Sequence, residues 1–161
     1  MLSAITRGTL LRLGLCVVVA LSVSSCDPDV PLSSISESDA VGTWKGSDGA
    51  VVELHADRKF TTSGIDWRDV SKGSECPQGE TASGKWAFWG SEPGRPDSSE
   101  VLDEYTSGDT IHLAFVGPPQ GGCLINLSAT KGGSVLCVSD DFEIPCAREI
   151  TFTKESVKTE S

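Results

Sequence analysis

Short alternating segments, separated by turn-forming residues, dominate the sequence from residue 41 onward. The segment 50–56 (AVVELHA) places Val52, Leu54 and Ala56 on one side and Val51, Glu53 and His55 on the other. This period of two is typical of a half-buried β-strand. Clusters of Gly, Asp, Ser and Pro punctuate such segments, and no stretch has sustained helical periodicity with caps. The pattern therefore predicts an all-β domain.

The same pattern predicts a series of short strands that form a single small antiparallel β-barrel or a sandwich. Hairpin turns are expected at residues 107–109 and 131–133, where glycine accepts a positive φ. Residues 66–83 and 90–99 are expected to be loops, the second of them mobile because it is rich in Gly, Pro and Ser. The predicted strands are residues 42–45, 50–56, 60–65, 84–89, 100–106, 110–116, 123–129, 134–138 and 148–154.

The first 25 residues have the organisation of a signal peptide. Arg7 and Arg12 precede the apolar run 13–23 (LGLCVVVALSV), and no acidic residue occurs there. The run is too short to cross a bilayer comfortably as a mature helix. A charged segment followed by such a run is typical of an export signal that is removed.

The residues Val23-Ser24-Ser25-Cys26 follow this run and resemble the lipobox of bacterial lipoproteins. The resemblance implies that Cys26 receives a diacylglyceryl group and becomes the first residue of the mature chain. Two acyl chains suffice for stable anchoring where one is marginal. The alternative is an ordinary secretory signal, in which Cys26 joins the cysteines of the mature domain.

The remaining cysteines favour the lipidated form. Beyond Cys26 the chain holds Cys76, Cys123, Cys137 and Cys146, an even set that leaves no odd thiol. An exported chain meets oxidising conditions, so two disulfides are expected rather than a metal site. The preferred pairs are Cys76 with Cys123 and Cys137 with Cys146, and a cross-strand Cys123–Cys137 pair is the main alternative.

Charge restricts the partners of the mature chain. Two of the 13 basic residues lie in the signal peptide, so 11 basic residues face 23 acidic ones and the formal net charge is −12. This argues against nucleic acid, whose binding requires neutralised phosphates. The negative charge also keeps the domain off an anionic membrane surface, so the lipid is expected to be its attachment to the membrane. Asp27, which resembles an inner-membrane retention signal, is consistent with the outer face of the cytoplasmic membrane, and the protein is expected to be a monomer.

The chain is expected to have four parts. Residues 1–25 are the signal peptide, and residues 26–40 are the lipidated cysteine with a flexible tether, which is Ser-rich, acidic and interrupted by proline. Residues 41–156 form the β domain, and residues 157–161 form a disordered tail.

Two resemblances concern the mature domain. The motifs Trp44-Lys45-Gly46, Gly84-Lys85-Trp86 and Ile150-Thr151-Phe152 resemble those of small uncharacterised lipoproteins of actinobacteria, in which a Gly replaces Arg58 or Lys59 after Asp57. Gly42-Thr43-Trp44 resembles the first-strand motif of the lipocalins and other calycins. That second resemblance implies a calycin-like barrel in which Arg148 packs over Trp44, a favourable cation–π contact.

Catalytic and metal sites are not indicated. The Gly-x-Ser-x-Gly motif of a serine hydrolase is absent. Asp103 and Glu104 are adjacent in a predicted strand and point to opposite faces, so they do not form a catalytic pair. His55 and His112 are expected to be solvated. No metal and no cofactor beyond the covalent diacylglycerol is predicted, and the protein is not expected to be an enzyme.

The aromatic residues supply the candidate contact surface. Trp86 and Phe88 share one face of a strand and Trp89 lies on the other, so Trp67 and Trp89 are candidate binding residues. The alternative is that Trp67 covers Trp89 and extends the core.

Two functions follow from these expectations. The first is a membrane-anchored, non-catalytic binding module for a small apolar ligand or an envelope component. The second is an interaction or inhibitor domain without a ligand cavity, which docks through the disulfide-pinned acidic loop 139–145.

Overall fold

A computed structural model of the chain describes residues 30–71, 75–92, 95–102, 104–118, 122–141 and 143–155. For residues 91–102 the description is limited to the backbone. Within these ranges, no helix has both the length and the apolar composition needed to cross a bilayer. The predicted signal peptide, Cys26 and the predicted tail 157–161 lie outside the described residues.

Eleven short strands make up most of the described chain. They are β1 (Ile35–Ser36), β2 (Gly42–Gly46), β3 (Val51–Leu54), β4 (Lys59–Ser63), β5 (Thr81–Glu92), β6 (Arg95–Leu102), β7 (Ser107–Gly108), β8 (Thr110–Phe115), β9 (Ile125–Thr130), β10 (Val135–Ser139) and β11 (Thr151–Lys154). Two single-turn helices, α1 (Glu37–Ala40) and α2 (Trp67–Val70), accompany them.

Eight of the strands close into an antiparallel barrel. Neighbours around the barrel follow the order β2, β3, β4, β5, β8, β9, β10 and β11, and β11 pairs with β2 to complete the ring. The all-β prediction is confirmed, and of the two architectures left open the closed barrel is the one found. Closure removes the free sheet edges that an open sandwich retains.

Large side chains fill the interior of this barrel. The inward-facing residues of the strands include tryptophans and phenylalanines, and their exposed fraction is 0%. A barrel of eight strands is only wide enough for its own side chains. Burial of each such side chain contributes about 1.5–3 kcal/mol to folding. The largest of them are Trp44, Trp86, Phe60, Phe88 and Phe152, and Trp67 of α2 is equally buried.

The segment before β2 closes one end of the barrel, which we call the N-terminal end. Ile35 is only 3% exposed and pairs with Gly108 of β7. Ser36 caps α1 by accepting a hydrogen bond from the Asp39 amide. The indole Nε1 of Trp44 donates to the Ala40 carbonyl at 2.8 Å.

The prediction of a flexible tether through residue 40 is therefore wrong for its second half. Leu32 bridges to Thr130, and the Ser33 amide donates to the Ala129 carbonyl at 2.8 Å. Composition favoured disorder because the segment is polar, but the side chains of Ile35 and Ala40 are buried against the barrel. The folded domain begins at about Leu32.

The loop between β4 and β5 closes the opposite end, which we call the disulfide end. Trp67 of α2 is fully buried, and its Nε1 donates to Thr62 Oγ1 at 2.9 Å. The disulfide Cys76–Cys123 joins this loop to the segment that precedes β9. This pairing agrees with the preferred prediction.

The second disulfide, Cys137–Cys146, lies on the outside of the barrel. Cys137 belongs to β10, where it is paired with Ser128 in register. Cys146 is bonded to Cys137, and the Arg148 amide donates to the Val138 carbonyl at 3.1 Å, so this part of the connection lies along β10. Both preferred disulfide pairs are thus present, and the alternative Cys123–Cys137 pair is excluded.

The segment 90–99 is the clearest error in the predicted strand positions. Its Gly, Pro and Ser content indicated a mobile loop, yet the backbone continues β5 as far as Glu92 and returns as β6. The register pairs Trp89 with Val101 and Gly90 with Glu100. Backbone pairing with an already ordered strand outweighs the low strand propensity of these residues.

Candidate functional site

Exposed apolar side chains mark the disulfide end as the candidate docking surface. Leu124 is 45% exposed and directly precedes β9. Ile144 is 55% exposed and follows β10 in the connection to β11. We define the disulfide rim as Leu124, Ile144 and the acidic residues Asp141 and Glu143. Since β9 and β10 are neighbours in the barrel, the rim lies on one sector of this end.

The two disulfides hold the rim in place. Leu124 directly follows the half-cystine Cys123, and Ile144 precedes Cys146 by two residues. Ser139 at the end of β10 adds a further constraint, because its Oγ donates to the Ile144 carbonyl at 2.7 Å. An apolar side chain on a fixed backbone loses less conformational entropy when it enters an interface.

Acidic groups flank the apolar side chains of the rim. Asp140 is engaged by Arg148, whose Nε donates to Asp140 Oδ1 at 2.9 Å. This hydrogen bond raises the pKa of Arg148 above its usual range. Glu143 is exposed, and its amide donates to Asp141 Oδ1 at 2.9 Å. The carboxylates of Asp141 and Glu143 therefore give the rim a net negative charge.

The structure differs from the predicted Trp44–Arg148 pair. Trp44 is fully buried near the N-terminal end, as the calycin resemblance implied, but the cation over its ring is Lys154, with Nζ 5.8 Å from the ring centroid. Arg148 lies in the connection before β11, which leaves it next to Asp140 at the disulfide end. The stacked arginine of this barrel is instead Arg58, over Trp86.

The predicted contact residue Trp67 belongs to the core. It is 0% exposed, and its ring centroid lies 5.5 Å from that of Phe115. Its role as a surface contact is thus excluded, and so is the alternative that it covers Trp89, because α2 lies at the disulfide end. Trp89 is half-buried on the outer face of β5 and stays a candidate contact residue.

A second surface feature is an outer groove over the junction of β4 and β5. Its volume is about 610 Å³, and its lining includes His55, Asp57, Lys59, Lys85 and Val116. Lys59 and Lys85 stand directly opposite each other in the register. Sequence reasoning missed this pair, because only the closure of the barrel brings β4 beside β5 in this register.

Asp57 and Lys59 form an ion pair at the edge of this groove. Lys59 Nζ lies 2.6 Å from Asp57 Oδ2. The hydrogen bond from Lys59 holds the pKa of Asp57 below its ordinary value of 3.8, and it raises the pKa of Lys59 above 10.5. Both side chains are exposed, so solvent weakens the pair.

Metal ligation finds no support in the described ranges. Within them, no three His, Cys, Asp or Glu side chains come together as metal ligands would. His55 follows β3 and His112 lies in β8, and these two strands are not neighbours in the barrel. His112 Nδ1 is 3.0 Å from Asn126 Oδ1.

No protein-family model matches this sequence, and neither a curated protein nor a solved structure matches it.

Proposed function

We propose that this protein is an exported, lipid-anchored docking module whose disulfide rim binds an envelope protein. The proposal makes Cys26 the anchor and assigns no catalytic step to the domain. The observation that carries it is the position of Leu124 and Ile144, which are exposed apolar side chains on disulfide-pinned segments at one end of the barrel.

The filled interior favours docking over the carrier hypothesis. A carrier of a small apolar ligand requires space between the strands, and the fully buried Trp44, Trp86 and Phe60 occupy that space. Binding through the outside of the barrel is compatible with such packing. Central apolar anchors with a polar margin are also the usual composition of a protein interface.

The short connection to the anchor supports a particular orientation. If Cys26 carries the lipid, only five residues lie between it and Leu32, where the folded domain begins. Even fully extended, this length spans only about 20 Å. The N-terminal end then faces the membrane, and the disulfide rim, at the opposite end, faces away from it and toward soluble or envelope partners.

The anchor is tested by replacing Cys26. We expect the Cys26→Ala precursor to incorporate no labelled fatty acid and to escape cleavage by the lipoprotein signal peptidase, because the acylated thiol is the recognised group. Continued metabolic labelling of Cys26→Ala would contradict the anchor.

The rim is tested by comparing chemically crosslinked complexes of the tagged full chain with those of a Leu124→Ser/Ile144→Ser variant. We expect recovery of the partner to fall by about tenfold or more, since apolar anchors dominate interface energy. Val30→Ser is the matched control, because Val30 is a 38% exposed apolar residue near the N-terminal end. Equal recovery with all variants would reject the rim as the docking site.

A further inference from the structure

The two lysines of the outer groove form an unfavourable pair in the isolated protein. Lys59 of β4 and Lys85 of β5 are directly opposite in an antiparallel ladder. Side chains at such positions share one face of the sheet and begin about 4.5–5.5 Å apart at their Cβ atoms. Like charges in this arrangement repel each other, so an anion between the two ammonium groups relieves the repulsion.

Several cations of the described chain have an acidic partner. Lys45 pairs with Glu155, Arg58 with Glu37 and Arg148 with Asp140. Lys59 forms an ion pair with Asp57, whereas Lys85 makes no ion pair with any residue in the described ranges. In a mature chain with a formal net charge of −12, the groove is therefore a local site of uncompensated positive charge.

The rest of the groove is apolar in character. Val116 at its far side is 73% exposed, the highest value among the exposed large apolar residues of the described chain. Gly84 and the fully buried Phe60 also belong to the lining of the groove. The lysine stems add further methylene groups, as long cationic side chains commonly do.

We propose that the outer groove binds a single-chain anionic amphiphile, with its headgroup between Lys59 and Lys85 and its alkyl chain against Val116. The groove volume of about 610 Å³ falls within the range of small-molecule sites, about 300–1,000 Å³. Asp57 already pairs with Lys59, so a single carboxylate or phosphate headgroup makes its ion pair with Lys85 and lies beside Lys59. The groove shares no residue with the disulfide rim, so a negative result for one proposal does not contradict the other.

Photoaffinity labelling of the full chain in phosphatidylcholine vesicles tests this proposal. The probe is palmitic acid that carries a diazirine in its chain, and the matched probe is the corresponding palmityl alcohol, which lacks the charge. We expect the acid to label peptides that contain Lys85 or Val116 about tenfold more than the alcohol does, because a charge-assisted contact is lost with the alcohol.

Two variants assign the headgroup contact. Lys85→Gln is expected to reduce labelling by the acid to the level seen with the alcohol. Lys45→Gln, which removes an exposed lysine on β2 away from the groove, is expected to leave labelling unchanged. The comparison of acid with alcohol on the unaltered protein keeps the test decisive even if Lys85→Gln does not fold.

Several outcomes would overturn the proposal. Equal labelling by the acid and the alcohol would show that the lysines do not recognise charge. Labelling outside the groove, or labelling unaffected by Lys85→Gln in a folded protein, would exclude the site. Displacement of the acid by an excess of a glutamate hexapeptide would assign the groove to an acidic protein segment. Stronger labelling by a diazirine-bearing phosphatidylglycerol would assign it to a membrane lipid.

Discussion

Arg58 lies over the ring of Trp86, with its guanidinium carbon 4.3 Å from the ring centroid. The same guanidinium donates from Nη2 to Glu37 Oε2 and to the Tyr105 carbonyl, each at 2.7 Å. Arg58 thereby joins the β3–β4 turn to α1 and to the segment before β7. It fastens the N-terminal segment over its end of the barrel.

The backbone of Arg58 is as informative as its side chain. Its φ is 64°, in the left-handed region that favours glycine. In this chain the contacts of the Arg58 side chain offset the strain of this backbone conformation.

We predict that Arg58→Ala lowers the free energy of unfolding by about 2–4 kcal/mol, because a cation–π contact and two charge-assisted hydrogen bonds disappear together. Arg58→Gly is expected to be about 1 kcal/mol less damaging than Arg58→Ala, because glycine relieves the positive φ. Urea unfolding measures both differences.

Lys45→Gln serves as the control for the Arg58 variants. It removes the exposed pair with Glu155, which is expected to contribute at most about 1 kcal/mol. A loss for Arg58→Ala no larger than that for Lys45→Gln would show that Arg58 does not fasten the N-terminal segment.

Gly84→Ala is predicted to disrupt the barrel. A Cβ at this position would lie 2.0 Å from the Ala114 carbonyl oxygen and 2.7 Å from Phe60 Cε1, so the strands would have to separate. We expect a loss of about 3 kcal/mol or more in thermal or urea unfolding. Ser83→Ala, on the exposed face of the same strand, is the control and is expected to be nearly neutral. A stable Gly84→Ala protein would contradict the close approach of β5 and β8.

The two disulfides are predicted to differ in their contribution to stability. Cys76–Cys123 closes a sequence separation of 47 residues and Cys137–Cys146 one of 9 residues. Loop-closure entropy then predicts losses of ~4 and ~2.6 kcal/mol when each pair is replaced by alanine. Urea unfolding of the two double variants measures the order, and the reverse order would contradict the entropic account.

The same connectivity predicts that the domain has no free thiol under oxidising conditions. Alkylation of the denatured, unreduced protein is expected to modify none of the four cysteines of the domain, since all are paired. Modification of two or more of them, read by mass spectrometry, would reject the two-disulfide framework.

Asp57 is predicted to titrate below its ordinary pKa of 3.8, because Lys59 stabilises the carboxylate. A folded-state pKa below the unfolded value adds stability that is present above the unfolded value and is lost as the pH falls through the folded value. In Lys59→Gln the pKa of Asp57 is expected to rise toward 3.8, as measured by NMR titration of its carboxyl carbon. An unchanged pKa in that variant would reject Lys59 as the cause.

Much of the barrel was predictable from local pattern. The alternation in residues 50–56 and the glycines after Lys131 specify a strand and a turn from neighbours in sequence, and the structure contains β3 and a turn at Lys131–Gly133. The strand and the turn depend on residues that are close together in the chain. The even number of cysteines also predicted two disulfides, but Cys76 and Cys123 are 47 residues apart, so the sequence left the Cys123–Cys137 pair open as an alternative.

The features that could not be predicted depend on strands that meet only when the barrel closes. The opposition of Lys59 and Lys85 follows from the β4–β5 register, and the stacking of Arg58 on Trp86 follows from the same junction. Ile35 was predicted to be mobile because its segment is Ser-rich and acidic, and its few apolar residues give no periodic signal. The exposure of Leu124 was also not predictable, because it depends on how the segments at the disulfide end pack together.

Site-specific photocrosslinking in cells tests the central claim most directly. Benzoylphenylalanine would be placed at Leu124 in the full chain, and at Lys131, an exposed position at the N-terminal end, as the control. The docking account predicts a discrete crosslinked species from Leu124 that is lost with Ile144→Ser, and none from Lys131. No species from Leu124, or the same species from both positions, would contradict docking through the disulfide rim.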